Sequence, residues 1–400
     1  MLEHNFVMSR MAADSTYGGE DLRKTIDYFC HILRDSGFLK DLEEIDPEYY
    51  SKHGKEIGWV TKLSNPVFNP TYGDMIRSTF MYKYGRAKTS DLVNLLSGRN
   101  FETKTYEEDV VEDSFRRMNE GVSRFVNGYN YRDFLSCIMA TGFRDSDQIT
   151  SSMTADFAYA LYLRLIDSGM KREKVDAYVG RWFVMSNLTR RYSNSPESKM
   201  DRDLRMIRDK GFERYLEEIE ESELSDSFWN SKLVMDLETS RYSNPLFYTF
   251  LASQIAFEDK SMLNTGKTVS ILAQTNIGDV HHIFPREYLR KNKIPQTKYN
   301  QVANYAYIDK ATNISISDKS PKEYFGIVKE QCSTKNPILG NITDLDELNK
   351  NLESNCIPIE VMDMEFEDYD EFLKARRKLM AARMREYYGR IKSRCGKDID

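Results

Sequence analysis

The side chains best suited to chemistry lie in one apolar segment and in two asparagines that follow it: Asp279-Val280-His281-His282-Ile283-Phe284-Pro285, then Asn304 and Asn313. The chain has five histidines, and two of them are adjacent in this segment. Imidazole nitrogens and amide oxygens can bind one divalent cation, and a neutral imidazole can accept a proton at physiological pH. These are the groups that a phosphodiesterase with one metal ion needs.

Phosphodiester hydrolysis needs a deprotonated water, a cation that neutralises charge on the phosphate, and stabilisation of the leaving oxygen. We predict that His282 is the general base, because free imidazole titrates at about pH 6.5. His281 and Asn313 are the predicted metal ligands, and Asn304 is predicted to hold the loop that fixes the ring of the base. The predicted cofactor is Mg²⁺ or Mn²⁺, with Ni²⁺ and Zn²⁺ as alternatives because imidazole suits them.

The tandem of His281 and His282 raises a geometric difficulty. Adjacent side chains on a regular strand point to opposite faces, so both rings can serve one site only if the strand bulges or the metal lies at its edge. A lone histidine in an apolar segment is more often a core residue, but two in tandem with suitably spaced asparagines favour a site. Imidazoles turned apart, with no metal cavity, would favour a non-catalytic scaffold.

Two strands and a helix are predicted to position these residues. Residues 280–284 are apolar and bounded by Gly278 and Pro285, and residues 305–308 form a second predicted strand. The segment Ser320-Pro321-Lys322-Glu323 has a capping residue, a proline at the first helical position and a glutamate at the third, which predicts a helix start. Two strands and a helix around a metal are the ββα-metal arrangement.

These residues resemble the C-terminal HNH domain of GmrSD-type, modification-dependent restriction proteins. The matching segments are His281-His282-Ile283-Phe284-Pro285, Asn300-Gln301-Val302-Ala303-Asn304-Tyr305, Thr312-Asn313-Ile314-Ser315-Ile316-Ser317-Asp318-Lys319 and Pro321. The interval of nine residues between Asn304 and Asn313 is also similar to that in the HNH domain of RNA-guided CRISPR nucleases.

The resemblance implies a role for each matching residue. It places His282 at the general base, Asn304 at the middle asparagine and Asn313 at the second metal ligand. His281 falls on a metal-ligand position that usually holds an acidic residue, and this departure leaves the preferred metal open.

The resemblance is strong over residues 276–325 and looser over most of residues 70–390. Family members usually begin with a ParB-like nucleotide-binding domain carrying an Asp-Gly-Gln-Gln-Arg motif, which this sequence lacks. We therefore expect that domain either to precede this chain in a longer protein or to be a separate partner.

Helical spacing dominates the rest of the chain, as in Phe157, Leu161 and Leu165. We expect a mainly α protein with a small α+β core of the ββα-metal HNH type in its C-terminal half. The expected domains are an N-terminal helical segment at residues 1–70, a helical linking domain at 71–225 and the HNH nuclease domain at 226–400. The boundary near residue 225 follows a stretch rich in acidic residues.

A basic amphipathic helix is predicted at the end of the last domain. Its apolar residues are Leu373, Met380, Met384, Tyr387 and Ile391, and its basic residues are Arg376, Arg377, Lys378, Arg383, Arg385 and Arg390. Such a helix either packs on the domain with a charged outer face or also touches a nucleic-acid backbone.

The charge balance points to a local rather than a global nucleic-acid surface. The net charge of −6 gives no overall attraction to a polyanion. Between residues 286 and 322, however, the sequence contains eight basic residues and only three acidic ones. The predicted backbone contacts are Arg286, Arg290, Lys291, Lys310 and Lys319. Ordinary solvated lysines on a loop are the alternative.

Together these features predict a metal-dependent HNH endonuclease that hydrolyses DNA, most readily double-stranded DNA, in restriction or defence against phage. The alternative is a non-catalytic DNA-binding or regulatory subunit that retains the HNH fold as a scaffold. RNA cleavage by the same chemistry is a third possibility, since the mechanism neither needs nor rejects a 2′-hydroxyl.

Three features of the sequence bear on localisation: scattered cysteines, a first segment unlike a signal peptide and the lack of a long apolar run. Together they predict a cytoplasmic protein with no membrane association.

Overall fold

The computed structural model describes residues 2–395 apart from residues 65, 242 and 276. The protein is mainly helical, and the described residues include one sheet of two strands. Packing divides the chain into two compact units, residues 1–139 with 145–219 and residues 140–144 with 220–400. The expected domains at residues 1–70, 71–225 and 226–400 stay a prediction, and the extreme ends of the first and last lie outside the described residues.

The first unit contains the first eleven helices and most of the twelfth: α1 (Leu2–Ala12), α2 (Gly19–Arg34), α3 (Phe38–Ile45), α4 (Pro47–Ile57), α5 (Tyr72–Tyr84), α6 (Thr89–Leu96), α7 (Glu108–Val126), α8 (Gly128–Ala140), α9 (Ser152–Asp167), α10 (Arg172–Thr189), α11 (Pro196–Lys210) and α12 (Phe212–Glu223). The predicted stripe of Phe157, Leu161 and Leu165 is buried on α9, which confirms a core face there. Trp182 of α10 stacks on Phe157 with ring centroids 5.2 Å apart.

The second unit holds the two strands and the remaining helices: α13 (Leu233–Asp236), α14 (Pro245–Ala256), α15 (Val269–Ala273), β1 (Gly278–His282), α16 (Arg286–Lys291), α17 (Gln296–Tyr299), β2 (Tyr305–Asp309), α18 (Lys310–Ile316), α19 (Pro321–Thr334), α20 (Leu345–Ser354) and α21 (Tyr369–Arg394). No helix in the described part of the chain is long and apolar enough to cross a lipid bilayer.

Strands β1 and β2 pair antiparallel in a regular register from Gly278 opposite Asp309 to His282 opposite Tyr305. The prediction that the first strand covers residues 280–284 is wrong at both ends, because β1 covers Gly278–His282. The chain departs from the ladder at Phe284, because the N–H of this residue donates to the side-chain Oδ1 of Asn304 at 2.9 Å and not to a main-chain oxygen. One residue earlier, the hydrogen bond still follows the register of the ladder. The N–H of Ile283 donates to the main-chain oxygen of Asn304 at 2.8 Å.

The predicted helix start at residue 320 is confirmed by α19. The Ser320 hydroxyl accepts the N–H of Glu323 at 3.2 Å, and the Glu323 carboxylate accepts the N–H of Ser320 at 2.6 Å. The helix α18, which begins directly after β2, was not predicted from the sequence. The carboxylate of Asp309 caps its first turn by accepting the N–H of Ala311 at 3.0 Å. This short helix carries Asn313.

The predicted amphipathic helix near the C-terminus is present as α21, and its five predicted apolar residues are buried. Placing Arg376 among the basic residues of the outer face is wrong, because this side chain is fully buried. Its guanidinium donates to the main-chain oxygens of Ala303 at 2.9 Å and Asn355 at 3.3 Å. Arg376 therefore braces the segment that leads into β2.

Candidate metal and phosphodiester site

One face of β1 and the helix α18 bring three polar side chains together. Asp279 and His281 are two residues apart, so alternation along the strand places both on the same face. Nδ1 of His281 lies 2.6 Å from Oδ1 of Asn313. Nδ2 of Asn313 donates to a carboxylate oxygen of Asp279 at 2.7 Å. The amide of Asn313 thus links the strand carboxylate to the strand imidazole.

The His281 ring is buried, with 2 % of its surface exposed. Burial lowers its pKa to about 4, although the contact with Asn313 acts in the opposite direction. The imidazole is therefore neutral at neutral pH, which is the form that binds a cation. Its Nε2 is buried and has no hydrogen-bond partner among the described residues.

His282 projects from the other face of β1. Its Nε2 lies 3.0 Å from Oδ1 of Asn300, and its ring meets the ring of Tyr305 edge-on at 4.9 Å between centroids. Burial lowers the pKa of this half-buried imidazole. A neutral ring can accept a proton, so its protonation state suits a general base. Asn300 belongs to a segment of the resemblance, but sequence reasoning gave it no role.

The two imidazoles share no contact partner in the described structure, and the five pairs of the β1–β2 ladder are consecutive. The predicted option of a strand bulge is therefore not seen. The option of a site at the strand edge remains, since His282 is the last residue of β1. A phosphodiester would have to lie across this end of the strand to meet both rings.

Asn304 is fully buried and bonds to main-chain groups only. Its Oδ1 accepts the N–H of Phe284 at 2.9 Å, and its Nδ2 donates to the oxygens of Phe284 and Tyr299 at 3.1 and 3.2 Å. The side chain therefore ties the chain that follows His282 to the turn before β2. This geometry makes Asn304 a positioning residue for the loop.

Oδ1 of Asn313 only accepts hydrogen bonds, so Nδ1 of His281 carries the proton in the contact at 2.6 Å. The donor set fits a divalent cation that would replace this proton, with the neutral ring protonated at Nε2 instead and the carboxylate of Asp279 beside it. Among the described residues, no three His, Cys, Asp or Glu side chains form a group that could hold a metal ion. A centre here would therefore depend on the amide oxygen of Asn313 as well as on His281.

The predicted nucleic-acid contacts differ in how much charge they leave available. Arg290 bonds to Glu287 at 2.7 Å, and Lys291 bonds to Asp318. Lys319 donates to two main-chain oxygens at the end of α18. Arg286 has 61 % of its side chain exposed and lies 3.8 Å from Glu287.

Lys310 is the member of this set with the least neutralised charge. It is exposed at the first position of α18, and its ammonium has no carboxylate partner among the described residues. Two other lysines between residues 286 and 322 are neutralised by acidic residues from elsewhere in the chain: Lys298 bonds to Asp370, and Lys322 bonds to Glu365. The local excess of positive charge is therefore smaller than the sequence count suggests.

Comparison with known proteins adds little about function. No protein-family model matches the chain. No solved structure matches it. An uncharacterized protein of Methanocaldococcus jannaschii is 27% identical over 225 residues, which cover 52% of this chain and 37% of that protein. The chain thus spans little more than a third of the length of this relative, whose description states no activity.

Proposed function

We propose that this protein is a metal-dependent HNH-type endonuclease that hydrolyses DNA. The observation that carries the proposal is the contact between Nδ1 of His281 and Oδ1 of Asn313, at 2.6 Å, beside a second neutral histidine. The strands β1 and β2 and the helix α18 that hold these groups would be the ββα-metal core. In this proposal α18, which carries Asn313, takes the place of the helix that the sequence predicted at Ser320, which is α19. The resemblance of the residues around His281 and His282 to GmrSD-type proteins supports restriction or phage defence as the context, with a ParB-like domain as a candidate partner.

Each residue has a distinct part in the proposed reaction. His282 accepts the proton of the attacking water, and Asn300 fixes the orientation of its ring through the bond at 3.0 Å. His281 and Asn313 would hold the divalent cation, Mg²⁺ or Mn²⁺ in the first place and Ni²⁺ or Zn²⁺ as alternatives. When bound, the cation would supply positive charge to the phosphate and to the leaving oxygen. Asn304 keeps the loop after β1 in place.

The direct test is cleavage of supercoiled plasmid by the full chain at low salt. We expect nicking or linearisation with Mg²⁺, Mn²⁺ or Ni²⁺, none in EDTA, and recovery when metal is added back. Single-stranded DNA and RNA under the same buffer define the substrate class. A folded protein that cuts none of these substrates with any metal would contradict the proposal for this chain.

A non-catalytic DNA-binding scaffold is the second candidate. The observation in its favour is that His281 and His282 face opposite sides of β1 and have different partners. This candidate predicts DNA binding that EDTA does not change, without cleavage. Binding and cleavage measured on one plasmid preparation separate the two functions.

Lys310 offers a test of the proposed DNA surface. We expect Lys310→Ala to weaken binding to duplex DNA at low salt and to lower the slope of log affinity against log salt by about 1, because one phosphate contact is lost. The affinity is measured by fluorescence anisotropy over a salt series. Lys329→Ala is the matched control, because Lys329 belongs to the same unit and bonds to Asp363 at 2.8 Å. Equal slopes for all three proteins would place the DNA elsewhere.

A further inference from the structure

We infer that Asp279 is a positioning residue that fixes which end of the Asn313 amide faces His281, and so determines cation affinity. This inference rests on the proposed function, because it concerns the same centre. It adds a residue that the expected site, with His281, His282, Asn304 and Asn313, does not contain.

An asparagine side chain has two ends of similar size, and only its oxygen can bind a cation. Half a turn about the last side-chain bond would present Nδ2 to the cation and abolish ligation. A carboxylate accepts hydrogen bonds and does not donate them, so it attracts Nδ2 and repels Oδ1. The bond of 2.7 Å from Nδ2 of Asn313 to Asp279 therefore favours the orientation in which Oδ1 faces Nδ1 of His281. It would keep that orientation when a cation replaces the Nδ1 proton that Oδ1 otherwise accepts.

The backbone fixes the distance between the two residues. Asp279 is opposite Ile308 in the sheet, one residue before Asp309, whose side chain caps α18. Asn313 is the fourth residue of that helix. The residue after Ile308 caps α18, so the strand pairing and the helix follow each other without a loop. The backbone therefore holds Asp279 close enough to Asn313 for two short side chains to bond.

The surroundings of Asp279 argue against a role in stability alone. Its side chain is exposed, and it pairs with no lysine or arginine among the described residues. The Asp279 carboxylate also accepts the N–H of the neighbouring Val280 at 2.8 Å. The hydrogen bonds of the carboxylate are thus to the amide of Asn313 and to its own strand, which suits a group that orients a ligand.

The test measures Mn²⁺ affinity of the full chain by isothermal titration calorimetry in two backgrounds. In the wild-type background, Asp279→Ala is expected to weaken Mn²⁺ binding about 10–100-fold, the usual effect of losing a group that orients a ligand. In an Asn313→Asp background, the same substitution is expected to change affinity by less than about twofold or to strengthen binding. A carboxylate at 313 presents an oxygen in either orientation, so nothing remains to be selected.

Each outcome separates this inference from the proposed function. Equal losses in both backgrounds would show that Asp279 acts as a direct ligand or through its charge, and would overturn the orienting role. An unchanged affinity in the wild-type background would also overturn it, while leaving the metal centre intact. A folded wild-type protein that binds no Mn²⁺ would refute the proposed metal centre and this inference with it. Asp363→Ala, which removes an exposed carboxylate elsewhere in the second unit, is the control and is expected to bind like wild type.

Discussion

His282→Ala is expected to lower the rate of metal-dependent DNA cleavage by about 10²–10⁴-fold, the contribution typical of a general base. The reason is the protonation state of the His282 ring. Burial lowers the pKa of His282, so the imidazole is neutral and ready to accept a proton, and Asn300 holds it at 3.0 Å. Mn²⁺ affinity is expected to persist, because the predicted ligands lie on the opposite face of β1. The measurement is the single-turnover rate of cutting a labelled duplex with metal in excess.

Two variants give this experiment its controls. His53→Ala removes an imidazole from the first unit that is predicted to have no part in the site, and it is expected to cleave at the wild-type rate. Asn300→Ala keeps the base but frees its ring, so a loss smaller than that of His282→Ala is expected. Cleavage by His282→Ala at the wild-type rate would exclude this residue as the base.

Asn304→Ala is expected to destabilise the second unit by about 3–5 kcal/mol, since each buried main-chain group left unbonded costs about 1–3 kcal/mol. The groups left unbonded are the N–H and the oxygen of Phe284. The oxygen of Tyr299 loses the donor of Asn304 but keeps the hydroxyl of Tyr369 at 3.3 Å. Urea denaturation of the full chain gives the free energy of unfolding. Hydrogen exchange of the peptide that contains Ile283 and Phe284 reports the loop directly.

The half-buried Asn300 supplies the matched control for stability. Its side-chain oxygen lies 3.0 Å from the ring of His282, and Asn300→Ala is expected to cost about 1 kcal/mol. Asn304→Asp keeps the oxygen that accepts from Phe284, but it replaces the donor Nδ2 with a second acceptor opposite two main-chain oxygens in a buried position. A loss at least as large as that of Asn304→Ala is therefore expected. A loss below about 1 kcal/mol for Asn304→Ala would show that this side chain does not hold the loop.

The sequence contained enough information to predict the elements around the site, though not their limits. A short apolar run bounded by Gly278 and Pro285 predicted the first strand, residues 305–308 were predicted as the second, and the capping box at Ser320 predicted α19, because these signals are local. The departure from the ladder at Phe284 depends on a partner 20 residues away, the side chain of Asn304, which no local pattern reports. The short helix α18 was missed because Thr312 and Ile314 are branched at Cβ and favour helix weakly. Its cap, Asp309, was the available signal.

The candidate site shows the same limit. Residue types and spacing suggested that His281 and Asn313 meet, and the structure brings them together. Spacing could not tell whether Asn300 or Asn304 contacts the ring of His282, because that depends on how the turn before β2 folds. In the structure the contact is made by Asn300. The burial of Arg376 was also beyond the sequence, since a basic residue in an amphipathic pattern ordinarily belongs to the solvent face.

The buried Arg376 has a consequence for dividing the chain into smaller pieces. Its guanidinium reaches from α21 to the oxygen of Ala303, next to Asn304, and to the oxygen of Asn355. A fragment that stopped before α21 would leave both carbonyl groups without their donor in the interior. The shortest piece of the protein able to hold the segment before β2 in shape must therefore extend well past that strand and include the long helix α21.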